Sequence, residues 1–179
     1  MTRGEDAAVR VTVRRFNRDD IPDKVRWIND PANNRFLHYD LPLTIDKTEQ
    51  WYERVSNDAS RYDAVIEADG VPCGLIGLLD IDGRNKKAEF YVTLGEAEYR
   101  GRGVALTATA KLLDYAFGEL GLHRIYLYTE TENTDAQKLF GRAGFIKEGC
   151  LRNDLLVNGI YKDRFLYGLC KDDYDKRHR

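Results

Sequence analysis

The spacing of apolar residues changes character along the chain, and each change marks an element. Val9, Val11 and Val13 alternate with Arg10, Thr12 and Arg14, the period-two pattern of a half-buried strand over 9–16. Arg18-Asp19-Asp20 then opens a helix that carries Val25, Trp27 and Ile28 and stops near Asn29-Asp30-Pro31. Residues 32–46 read as irregular or briefly helical, with Pro42 as a breaker. A second helix over 47–57 puts Trp51 and Val55 on one face. Three apolar runs follow, 62–68, 73–81 and 86–94. The pairs Asp69-Gly70 and Asp82-Gly83 between them are hairpin turn signals, so the three form an antiparallel meander.

At Gly103 the period lengthens. Leu106, Leu112, Leu113, Ala116, Phe117 and Leu120 spell a long amphipathic helix over 103–120, ended by Gly121. A strand over 123–129 sets Ile125 and Leu127 on one face and Tyr126 and Tyr128 on the other. Asn133 or Thr134 caps a further helix that carries Ala136, Leu139, Phe140 and Ala143 at helical spacing and stops at Gly144. The runs 145–157 and 161–169 close as a hairpin around Asn158-Gly159. A strand–helix–strand connection in the middle requires a parallel pair. The expected fold class is therefore α/β (α+β): a mixed, mostly antiparallel sheet of about seven strands flanked by about four helices. This single domain spans 9–170, between a flexible N-terminus over 1–8 and a polar, solvated C-terminal tail over 171–179.

Composition removes several classes of function. A length of 179 residues, 42% hydrophobic and 32% charged, fits one folded domain and not a disordered chain. A net charge of -2 gives no footprint for nucleic acid. No apolar run reaches the ~18 residues that cross a bilayer, and the polar start with Arg3, Glu5 and Asp6 has no secretory core. Cys73, Cys150 and Cys170 are too scattered, and His38, His123 and His178 too isolated, for a disulfide framework or a metal site. The expectation is a cytoplasmic protein with free thiols and no metal, and with neither nucleic acid nor membrane as partner.

Chemistry is concentrated in Arg100-Gly101-Arg102-Gly103-Val104-Ala105, between the end of a strand and the start of the longest helix. The first turn of a helix offers unpaired N–H groups and a positive dipole end. Glycines let the backbone approach an anion, and arginines add bidentate donors. A diphosphate suits this place. So does a plain glycine-rich turn that only enters a helix, and the turn alone does not separate the two. It is no P-loop, because Lys-Ser/Thr is absent, and no dinucleotide fingerprint, because its strand belongs to a meander.

The stretch resembles the coenzyme A pyrophosphate loop of the GNAT superfamily of acyl-CoA N-acyltransferases, Gln/Arg-x-x-Gly-x-Gly/Ala, through Arg100, Gly103 and Ala105. A second block, Glu132-Asn133, Ala136, Leu139-Phe140, Arg142 and Gly144-Phe145, resembles the strand end and helix that flank the pantetheine arm in that family. The resemblance runs over residues 9–170 in the family's element order. Within the superfamily the chain resembles the branch of ribosomal-protein, spermidine and amino-sugar N-acetyltransferases. Ala88-Glu89-Phe90, Arg100-Gly101-Arg102-Gly103 and Leu156-Val157-Asn158-Gly159 resemble the spermidine enzymes, whereas Trp27-Ile28-Asn29-Asp30-Pro31 resembles the amino-sugar enzymes.

The resemblance implies an N-acetyltransferase that moves acetyl from acetyl-CoA to the primary amine of a polyamine or amino sugar, by direct attack in a ternary complex. A protein N-terminus is the alternative acceptor, a catalytically weak acyl-CoA sensor or scaffold is the alternative of another class, and a homodimer is expected by analogy. Glu89 is implied as the base, directly or through a water; as a bare strand residue it reads equally as solvated or ion-paired. Val92, Thr93 and Leu94 would splay and pair with the pantetheine, with an N–H near Val92 facing the thioester oxygen. Arg100, Gly101, Arg102, Gly103, Val104 and Ala105 would hold the diphosphate, and Asn133, Phe140 and Arg142 would flank the cofactor, with Asn133 also a helix cap. Many members carry a proton-donating tyrosine where this chain has Phe140. The thiolate then leaves unaided, or Tyr91, Tyr126 or Tyr128 substitutes, or the activity is weak or altered. Asp30, His38, Tyr39, Asp40, Trp51 and Tyr161 are the expected acceptor liners.

Overall fold

The computed structural model describes residues 9–178. Seven strands, β1 (Val11–Arg15), β2 (Tyr62–Ala68), β3 (Val71–Asp82), β4 (Lys87–Leu94), β5 (Arg124–Glu130), β6 (Ile146–Val157) and β7 (Ile160–Cys170), form one sheet in the order β1-β2-β3-β4-β5-β7-β6. Every neighbouring pair is antiparallel except β4 and β5. The helices are α1 (Ile21–Asn29), α2 (Pro31–Asn34), α3 (Ile45–Val55), α4 (Val104–Gly118), α5 (Thr134–Ala143) and α6 (Lys171–Arg177).

Alternation along the strands divides the core into two layers. On one face Ile76, Leu78, Phe90, Ile125 and Leu127 meet Ala108, Leu112, Leu113, Ala116 and Phe117 of α4. On the other, Val65 and Leu75 meet Phe16, Ile21, Trp27 and Ile28, with Trp51, Tyr52 and Tyr91 packed against them. Fully burying one such side chain is worth ~1.5–3 kcal/mol, so both helical layers are held by the sheet and not by local propensity. Among the described residues no helix is long and apolar enough to cross a membrane.

Six helices lie among the described residues beside the expected about four, because α2 is a single turn capped by Asp30 and α6 continues past β7. One expectation needs correction. The expected solvated tail is a packed helix over 171–177: Tyr174 is 5% exposed, its hydroxyl donates to Asp114 Oδ1 at 2.6 Å, and its ring lies 5.1 Å from that of Phe117. The expected flexible segment 1–8 and Arg179 lie outside the described residues.

The sheet opens at its parallel pair. β4 and β5 pair only over Lys87, Ala88 and Glu89 against Arg124, Ile125 and Tyr126. β4 stays paired with β3 as far as Leu94 and β5 with β7 as far as Glu130, so the two strands are carried apart by their outer neighbours. The far end of β4 is pinned by Gly95, where a Cβ would land inside the Trp27 indole. Trp27 Nε1 donates to Glu96 Oε1 at 2.8 Å, and Asn33 Nδ2 donates to the Gly95 carbonyl at 2.8 Å.

Candidate active site

Beyond Glu89 the free edge of β4 faces a cleft of about 790 Å³, within the range of small-molecule sites. Glu89 to Leu94 form one wall and Tyr128, Thr129 and Glu130 of β5 another. Asn133, Ala136, Leu139, Phe140 and Arg142 line it from α5, and Ala32, Asn33 and Arg35 to His38, with Arg164 of β7, complete the lining. A second cavity of about 290 Å³, near the ends of α3 and α4, gathers no comparable set of reactive groups.

The outer end of the cleft is built for an anion. Gly101 and Gly103 hold φ of 72° and 79°, a conformation only glycine adopts cheaply, and Gly103 is the N-cap of α4. No side chain caps this end, and the first helical bond runs from Thr107 N to Gly103 O at 3.0 Å. The N–H groups of the first turn therefore lack intrahelical acceptors and point outward. Arg100 lines the cleft, held by a hydrogen bond to Asn33 Oδ1. Arg102 and Val104 do not line it. Arg102 turns toward Tyr99, and Val104, 1% exposed, starts the buried stripe of α4. Asn133 caps α5 through Oδ1 to Ala136 N at 3.3 Å and also lines the cleft, so both of its expected roles are compatible.

Acidic groups lie on the other face of the opening. Glu89, opposite Tyr126 in the last β4–β5 pair, sits at the apex of the splay. Burial pushes its carboxyl above the usual value, Asp80 adds to the rise, and Arg164 opposes it. Glu130, which the sequence reading missed, continues the Tyr126–Tyr128 face and is 7% exposed. Its Oε1 and the Oγ1 of Thr129 are buried without hydrogen-bond partners among the described residues. His38 Nε2 lies 2.9 Å from Glu130 Oε1, off the axis a hydrogen bond needs.

Of the three phenols considered as donors, Tyr91 is committed elsewhere. Its hydroxyl donates to Asp63 Oδ1 at 2.6 Å, and burial beside that carboxylate raises it well above its usual value. Burial also raises Tyr126, with the Glu89 charge adding to it. Tyr128 lines the cleft, under the Arg164 guanidinium at 4.7 Å from its ring. Among the expected acceptor liners only His38 lies in the cleft wall. Asp30 accepts from Ala32 N as a cap, and Tyr161 is 63% exposed in the β6–β7 hairpin. Asp40 is an exposed partner of Lys47. Trp51 and Tyr39 surround Lys24, whose Nζ lies 3.2 Å from the Trp51 ring centroid and 5.9 Å from that of Tyr39. Phe140 is 6% exposed, packed edge-on to Phe90, and offers the cleft an aromatic wall with no donor.

Residues 10–146 match the family described as the acetyltransferase (GNAT) domain. The chain belongs to that family. A GNAT protein of this kind is an acyl-CoA-dependent N-acetyltransferase, and acetyl-CoA is its acyl donor. Among its relatives, the spermidine N(1)-acetyltransferase of Vibrio cholerae is 33% identical over 158 residues, 86% of this chain and 88% of the relative. That of Escherichia coli K12 is 28% identical over 173 residues, 94% and 90% of the two chains. The crystal structure of the Vibrio cholerae enzyme in complex with CoA and spermine superposes with a TM-score of 0.85 at 29% identity, covering 92% of this chain and 97% of that one. A dodecameric structure of the same enzyme superposes with a TM-score of 0.81.

The residues of this GNAT chain fit acetyl-CoA. The glycine-framed mouth of α4 has donors for a diphosphate, and the outer edge of β4 from Phe90 to Leu94 has no strand beside it. The orphaned Oγ1 of Thr129 is a buried polar atom that a bound amide would complete.

Proposed function

We propose that this enzyme acetylates a primary amine of a polyamine in a ternary complex, with the acceptor entering from the His38 side of the cleft. The splay of β4 from β5 at Glu89, with a raised carboxyl at its apex, carries the reading. The Vibrio cholerae and Escherichia coli relatives, named for spermidine, support the acceptor class.

Acetyl-CoA supplies the acetyl thioester. Arg100, Gly101, Gly103 and Ala105 would hold its diphosphate, and Val92 and Leu94, whose backbone groups face away from β3, would pair with its arm. The Val92 N–H would face the thioester oxygen, an oxyanion contact worth ~10²–10³ in rate. Glu89, whose carboxylate burial makes a stronger base than usual, takes a proton from the acceptor nitrogen during attack. Phe90, Phe140 and Leu139 exclude water from that point. Without a donor at Phe140, departure of the thiolate relies on the acidity of the thiol, ordinarily ~8.5. The enzyme works in the cytoplasm as an assembly of at least two copies. The dodecameric Vibrio cholerae structure and the exposed Ile146, Leu156, Ile160 and Tyr161 of the β6–β7 hairpin support assembly.

Thiol release from acetyl-CoA tests the reading, with spermidine, spermine, a simple monoamine, an amino sugar and a peptide N-terminus as acceptors. Polyamines should be turned over in preference to the rest; a preference for amino sugars or peptides refutes the acceptor. Gly103→Trp fills the space before α4 and should abolish coenzyme A binding in calorimetry. Unchanged affinity refutes the diphosphate site.

A further inference from the structure

Turning an ammonium into an amide removes two protons from one nitrogen. One returns to the donor's sulfur as the thiol forms. The other must go before attack, because a protonated amine has no free lone pair. Glu89 at the apex serves the nitrogen during attack. The earlier proton needs its own acceptor with an exit to solvent.

We propose that His38 is the catalytic base that takes this first proton, and that Glu130 is the positioning residue that holds its imidazole. The proposal rests on the amine-acetylating reading above. The two side chains come from segments far apart in the chain that line one cleft, His38 from the segment after α2 and Glu130 from the end of β5. Glu130 is 7% exposed, and its Oε1 has no hydrogen-bond partner in the described chain apart from the close approach of His38 Nε2 at 2.9 Å. A buried carboxylate in that state needs a cation or a donor. The Nε2 edge of the His38 ring stands 2.9 Å from that oxygen, and uptake of a proton at Nδ1 turns the ring into the cation the carboxylate lacks. Nδ1 makes no hydrogen bond to any described residue, and a third of the His38 side chain (33%) is exposed.

In the step, one N–H bond of the acceptor ammonium breaks. Its electron pair stays on nitrogen, and the proton moves to Nδ1 of His38. The imidazolium is then stabilised by Glu130 and yields the proton to water at its exposed edge. Neighbouring groups shape this balance. Glu89 of β4 adds negative charge to the same cleft. Arg164, opposite Glu130 on β7, has its charge matched by Asp154 at 2.6 Å. Tyr128 of β5 and Arg35 from the end of α2 also line the space.

The test uses His38→Gln and Glu130→Gln in the full chain. Protein histidines are three, His38, His123 and His178, so the His38 imidazole resonance is identified by its loss in His38→Gln. In ligand-free protein, Glu130→Gln should shift that resonance, because the carboxyl group held 2.9 Å from the ring edge is replaced. With acceptor, Glu130→Gln should lower kcat while leaving KM for the acceptor and acetyl-CoA affinity nearly unchanged, the split expected when a base is mispositioned. His38→Gln should lower kcat/KM at pH 7 by about 10²-fold with acetyl-CoA affinity unchanged, and the deficit should narrow toward pH 9–10, where the free amine is already present. An unmoved resonance in Glu130→Gln, or a wild-type profile in His38→Gln, overturns the proposal. If the wild type turns over no polyamine, the acceptor reading falls separately. The His38 resonance in Glu130→Gln still decides the pair, and the kinetic arm is then run on whichever amine the panel does consume.

Discussion

Replacing Lys24 with methionine should stabilise the protein most below neutral pH and progressively less above it. Lys24 is 6% exposed, and burial lowers its amine from the ordinary 10.5 to about 7, opposed by Asp63 and reinforced by Arg61. Below pH 7 both folded and unfolded chains hold the proton, and the folded state bears the whole cost of burying a cation. Between 7 and 10.5 only the unfolded chain holds it fully, so stability from this group rises with pH. Integrating those two values between pH 6 and pH 9 gives about 3 kcal/mol. The attraction of the Trp51 ring for the ammonium, ~1–2 kcal/mol when desolvated, trims that figure without changing its sign. Methionine keeps the length of the stem and cannot titrate. Urea unfolding of both proteins at pH 6, 7, 8 and 9 isolates the effect, because other groups cancel in the difference. The advantage of Lys24→Met should shrink by about 3 kcal/mol across that range. A difference constant within about 0.5 kcal/mol refutes the buried-amine argument.

Three further outcomes follow from the packing and the site. Glu89→Gln should lower kcat by about 10²-fold or more, leave coenzyme A affinity nearly unchanged in calorimetry, and abolish the part of the pH–rate rise that reflects ionisation of a carboxyl held above its usual value. An unaltered profile removes Glu89 from proton transfer. Gly95→Ala forces a methyl into the Trp27 indole and should cost about 1–3 kcal/mol in denaturant unfolding while weakening coenzyme A binding, since the same residue ends β4 beside the anion mouth. Tyr174→Phe should cost about 1 kcal/mol through the lost bond to Asp114, and Tyr174→Ala about 3 kcal/mol. Neutral behaviour of both contradicts a docked α6.

Local rules carried the reading of the fold where each element announces itself. Asp69-Gly70 turns with φ of 52° and 83°, the left-handed pair that a tight hairpin demands, and Gly144 ends α5 at φ 104°. α6 was not legible because one buried tyrosine among charges has no period. The site divides in the same way. Arg100, Gly101 and Gly103 belong to one continuous loop, and all three line the cleft. Val104 begins the helical period Val104, Ala108 and Leu112, which turns its side chain into the core and leaves it only a backbone N–H to offer an anion. Tyr91 and Trp51 look reactive as isolated residues, yet Asp63 and Lys24, brought to them by the fold, occupy them. Glu130 had a partial signal, the alternation of Tyr126 and Tyr128 that it continues, but its significance depends on His38 arriving from a distant segment.

The seven strands are continuous in order but not in bonding. β1 to β4 make one half-sheet, β5, β7 and β6 the other, and three residue pairs sew them together. Cohesion across that seam is lent by whatever lies in it. A carrier nucleotide that binds the folded chain and not the unfolded one adds about 2.7 kcal/mol at a hundredfold excess over its Kd. The enzyme's resistance to melting thereby tracks the supply of its acyl donor, and a starved copy is a softer one.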